Sequence, residues 1–124
     1  MSGRADARER GSATVWVIVL CGVLATVGVA VVLTGAAVVA RHRAGAAADL
    51  AALAGAARAV QGGDACAEAA RLAAANGAQS TGCEVEPGGR VRVTVSVPVA
   101  LGRLGIFPAT GRARAGPVPV GADP

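Results

Sequence analysis

The sequence predicts an α+β fold: a long amino-terminal transmembrane helix extending outside the membrane, one short helix, and a small antiparallel sheet built on a hairpin. Three observations predict it. Residues 12–40 (SATVWVIVLCGVLATVGVAVVLTGAAVVA) run for 29 positions without a charged side chain. Two alanine-rich stretches follow, RHRAGAAADLAALAGAARAV and ACAEAARLAAAN, neither containing proline. From Val91 the apolar period then drops to 2, with Val91, Val93, Val95, Val97 and Val99 alternating with Arg92, Thr94, Ser96 and Pro98.

The uncharged run has the length and character of a membrane span, because a helix satisfies its own backbone amides where lipid offers no partner. At ~1.5 Å per residue it is about 44 Å long, against a hydrocarbon core of about 30 Å, so it crosses once. A cleavable signal peptide has an apolar core of only about 7 to 15 residues, which argues against removal of the segment. Val38 and Ala40 nonetheless suit a signal peptidase, and the competing reading is a small secreted binding protein released near Ala40.

Past the membrane the helix continues to Val60, with Leu50, Leu53, Ala57 and Val60 on one stripe, and Gln61, Gly62 and Gly63 end it. Asp64 caps a second helix that stops at Gly77. Pro87, Gly88 and Gly89 form a three-residue hairpin loop, which sets Glu86 against Arg90, Val85 against Val91, Glu84 against Arg92 and Cys83 against Val93. A two-residue loop at Gly88 and Gly89 would mix the faces. Residues 100–110 read as a loop with buried contacts from Leu101, Leu104, Ile106 and Phe107, before a short third strand at Arg112–Ala115. The expected domains are a cytoplasmic tail (1–11), the spanning and protruding helix (12–60, capped by Ser12 or Thr14), an extracytoplasmic α+β domain (61–117) and a disordered tail (118–124).

Composition limits what so small a domain can do alone. Trp16 and Phe107 are the only aromatics, and alanine burial removes little area from water, so the outer part needs a partner, a second copy or a covalent staple. Cys66 and Cys83 offer the staple as a disulfide, the alternative being two buried free thiols; Cys21 lies inside the span. A disulfide persists only in an oxidising compartment. That places the amino terminus in the cytoplasm, a choice the balanced arginines on the two sides of the span do not make.

Function classes narrow in the same way. Twelve arginines and no lysine give a formal charge of +4, but they flank the span or alternate with acids and lack interleaved aromatics, so nucleic acid is not an expected partner. His42 is the lone histidine, and no base stands beside a nucleophile; no catalytic residue, cofactor or metal is expected. What remains is packing. Cys21, Gly28, Gly35 and His42 recur every seven residues, and a small-residue stripe lets a second helix approach closely in lipid, which makes Gly28 and Gly35 candidate helix-packing positions and homo-oligomerisation through this helix an expectation. Asp49, in an apolar stretch with no basic residue three or four positions away, either faces solvent or meets a basic group on a neighbouring helix.

GSATVWVIVLCGV, GAAVVARHRAGAAADLAALAGAA, DACAEAARLAAANGA with Cys83 after it, and the closing ARAGPV together resemble the TadE-like or TadG-like proteins of actinobacteria, associated with Flp pilus assembly and secretion. The resemblance covers residues 11–117 and is most specific at 40–57. It implies a non-catalytic, single-pass, pilin-like component whose partners are the membrane and other pilus or secretion-apparatus proteins. Pilin-type precursors resemble one another in a glycine before the cleavage point and a glutamate five residues after it. Gly11 and Ser12 fit such a processing junction, but the fifth residue is Trp16.

Overall fold

The computed structural model describes residues 2–118, with the element order α1 (Ser2–Val60), α2 (Ala65–Ala75), β1 (Gln79–Glu86), β2 (Arg90–Ala100), a 3-10 turn (Gly102–Leu104) and β3 (Ile106–Ala115). Helix α1 begins well before Ser12 and Thr14, so neither caps it; the Thr14 hydroxyl instead donates to the Arg10 carbonyl at 3.1 Å. The expected tail from 118 on lies, but for Val118, outside the described residues. Contacts divide the chain into two compact units, residues 1–35 and the remainder from Ala36.

The first unit is helix alone, and among its residues from 10 on none is buried. Its apolar side chains, from Val15 and Trp16 through Leu24 to Val32, are exposed on all sides, the pattern of a helix whose solvent is apolar. Its polar groups are already satisfied. Thr26 donates to the Gly22 carbonyl and Thr34 to the Ala30 carbonyl, each at 2.8 Å, so neither hydroxyl needs water.

The second unit is a three-stranded antiparallel sheet, order β1-β2-β3, with residues 36–60 of α1 and all of α2 supplying its helical partners. Val91, Val93 and Val95 are the largest fully buried side chains, one face of central strand β2, and they meet Ala47, Ala48, Ala51, Ala52 and Ala56 of α1 and Ala65, Ala69 and Ala73 of α2. The core is therefore valine against alanine. Small side chains permit unusually close approach: a Cβ on Gly55 would stand 3.0 Å from the Ala65 carbonyl and 3.1 Å from Val91, and one on Gly111 would run into the Ala44 carbonyl. The stripe of Leu50, Leu53, Ala57 and Val60 points away and is exposed, because the sheet takes the alanine face of the helix instead.

Local signals at the ends of α2 act as read. The Asp64 carboxylate accepts from the Ala67 amide at 3.1 Å, and Gly77 turns the chain with a φ of 72°. The β1–β2 hairpin has the register the three-residue loop requires, Glu86↔Arg90, Val85↔Val91, Glu84↔Arg92 and Cys83↔Val93, with Gly88 and Gly89 at φ values of 89° and 81°. The third strand departs from expectation. It starts at Ile106, not near Arg112, and pairs residue for residue with β2 from Ala100↔Ile106 to Val91↔Ala115. Pro98 opposite Pro108 obscured it. These prolines are tolerated because β1 pairs with β2 only as far as Ser96, so Pro98 lies where β2 has an open edge.

Candidate anchor and packing surfaces

Within α1 one segment is long and apolar enough to cross a membrane, with a mean hydropathy of 2.7 over its most apolar window and none of that window buried. Gly28 and Gly35 lie in it, and a Cβ added at either would meet nothing within 4 Å, so both present open small-residue surface. Cys21, on the same segment, is a free, exposed thiol. Gly11 and Ser12, the residues of the expected processing junction, are exposed on α1.

Cys66 and Cys83 are joined, with Cα atoms 5.7 Å apart. The bond ties the first turn of α2 to edge strand β1, where Cys83 rests against the valine and alanine core. This answers the shortage of core volume noted in the composition: α2 has a shallow alanine face, and the cross-link holds it on the sheet where burial alone contributes little.

Charges collect on the opposite face of the sheet. Arg92 Nη2 lies 2.7 Å from Glu86 Oε1, Arg114 Nη2 lies 3.2 Å from the same oxygen, and Arg92 Nη1 approaches Glu84 Oε2 at 3.8 Å. Glu86 thus bridges two strands diagonally. Its facing residue in the register, Arg90, does not take part. On α2, Arg71 clasps Glu68 through two hydrogen bonds of 2.6 and 3.2 Å, which holds the Glu68 carboxyl below its ordinary range. Asp49 is exposed on α1 and makes no ion pair among the described residues. No group of three or more histidine, cysteine or acidic residues that could hold a metal occurs among the described residues.

The turn end of the β2–β3 hairpin is the feature that reading the sequence missed. Leu104, Ile106 and Phe107, expected to be buried, are 62%, 72% and 49% exposed. Gly102 and Gly105 at φ values of 58° and 96° turn the chain around the 3-10 element and push these side chains outward. Beside them a groove of about 310 Å³ is lined by Ala37, Ala40, Arg41, Val99, Leu101, Phe107 and Pro108, among others.

An uncharged, lipid-compatible helix leading into a small disulfide-linked α+β unit is the arrangement on which the comparison with known families bears. Residues 11–58 match the family described as "Putative Flp pilus-assembly TadE/G-like". No curated protein and no solved structure matches the chain. The TadE/G-like segment contains the whole uncharged run, Gly28, Gly35 and Asp49, and it continues through the alanine face that packs on the sheet. The match stops two residues before the end of α1, so α2 and the sheet lie beyond it.

Proposed function

We propose that this chain is a non-catalytic, membrane-anchored, pilin-like component of a Flp-type pilus-assembly or secretion apparatus, with its carboxyl-terminal unit outside the cytoplasm. The TadE/G-like match over the uncharged helix carries the proposal. The disulfide supports the orientation, since Cys66 and Cys83 stay joined only in an oxidising compartment. Assembly runs through helix packing: Gly28 and Gly35 form the close-approach face in lipid, and Asp49 meets a basic group of a neighbouring subunit just outside it.

The test is photo-crosslinking in the native envelope from positions beside Gly28 and beside Asp49, combined with thiol labelling of intact cells with and without reductant. The proposal expects adducts with pilus-assembly proteins or with a second copy, and labelling of Cys66 and Cys83 from outside only after reduction. Capture of unrelated enzymes alone would point to an anchored regulator. A mature amino terminus near residue 41 would establish the secreted binding protein, whereas a new terminus at Ser12 would show pilin-type processing after Gly11.

A further inference from the structure

We propose that the turn end of the β2–β3 hairpin is a second membrane contact, seated in the outer lipid interface. The inference rests on the membrane reading of the uncharged run and adds a surface that this run does not contain.

The argument is one of level. Gly55 of α1 meets Val91, Gly111, which pairs with Val95, meets Ala44, and the groove brings Val99 and Phe107 to Ala37, Ala40 and Arg41. Advancing along β2 therefore means retreating along α1. Eight strand residues from Val91 to Val99 cover about 26 Å, and the sixteen helical residues from Gly55 to Val39 cover about 24 Å, so the two stay in step. The groove sets Leu101, where the turn begins, level with Ala37, Ala40 and Arg41.

That level is where the uncharged run ends. Its 29 residues amount to about 44 Å of helix, against a bilayer of about 40 to 45 Å with its headgroups, which puts Ala37–Arg41 among the headgroups. The hairpin end reaches the same depth, and there it displays the apolar Leu104 and Ile106 and the outer half of Phe107, uncovered among the described residues. Arg41, which lines the groove, and Arg103, in the turn itself, are both exposed, basic groups suited to lipid phosphates. Apolar side chains level with the end of a membrane span, with Arg41 and Arg103 close by, fit a bilayer interface better than a protein groove.

Collision accessibility of nitroxide labels tests this in the full chain, reconstituted into phosphatidylethanolamine and phosphatidylglycerol vesicles. In a Cys21→Ser background the disulfide leaves one reactive thiol per variant, placed as Leu104→Cys, Ile106→Cys, Pro87→Cys at the far end of the sheet, or Val29→Cys in the uncharged run. The expected result is several-fold lower collision with a water-soluble nickel chelate at 104 and 106 than at 87, with high collision with oxygen, as at 29. Chelate access at 104 and 106 equal to that at 87, while 29 stays protected, would overturn the hairpin contact and leave the anchor standing. Protection from both reagents would also overturn it, by showing protein as the cover. Free chelate access at 29 would bring down the anchor reading and the hairpin contact with it.

Discussion

At Gly111 the helix and the sheet lie against each other backbone to backbone, and its missing side chain is what lets them. A Cβ there would collide with the Ala44 carbonyl and stand 2.8 Å from the Gly45 amide nitrogen, both backbone atoms that no rotamer change can move aside. Gly111→Val is expected to destabilise the second unit by at least the roughly 1 to 3 kcal/mol of an overpacked core, seen as a lowered urea midpoint by circular dichroism in detergent. The same substitution at Gly45, where a Cβ meets nothing within 4 Å, brings no such clash, and valine is no worse a helix former than glycine. A smaller residue-scale effect belongs to Glu68. Because Arg71 depresses its carboxyl in the folded state, the pair stabilises the fold at pH values above the unfolded glutamate range, and that contribution is lost as pH falls through the lowered folded value, below 4.5. A carboxyl-detected NMR titration of the Arg71→Ala variant should return Glu68 upward toward the ordinary range, and an unchanged midpoint would show that the clasp seen here is not populated in solution.

Among elements, α2 depends most on help from outside itself. Its buried residues, Ala65, Ala69 and Ala73, are all alanine, so its docking surface is thin and the Cys66–Cys83 link carries a large share of its attachment. Cys83→Ser is expected to lower unfolding stability by about 3 kcal/mol, the chain-entropy value for closing a loop of this size. Reductant should do the same to the wild type and nothing further to the variant, a comparison that equilibrium urea unfolding reads directly. The strands show what makes an element legible. β2 announced itself by five valines at period 2, and Glu84, Glu86, Arg90 and Arg92 fixed the hairpin register through the faces they had to share. β3 did not, because Pro108, Gly111 and Gly105 carry the breaker signature that marks loops. Its pairing with β2 overrides that signature: Gly111 is in the strand for its contact with α1, and Pro108 stands where β2 has no second neighbour.

For the whole molecule, the decisive expectation concerns solvent. The full chain should sediment with membranes and resist carbonate extraction, and it should require detergent to stay dispersed, since the run from Val15 to Val32 buries none of its apolar side chains on its own. A full-length, monomeric form free in detergent-less buffer would contradict the membrane reading. The sequence by itself determined the long apolar helix, the short helix with its caps and the first hairpin, because each rests on local periodicity or end signals, whereas the choice between a disulfide and two buried thiols at Cys66 and Cys83 was made by the fold. Only the tertiary structure decided which face of α1 the sheet covers. Leucine would be the choice by area, yet the alanines win, since a helix can lie against a glycine-bearing strand only where its own side chains are short. That same closeness leaves Leu50 and Leu53 facing outward, a consequence of packing between residues far apart in the chain.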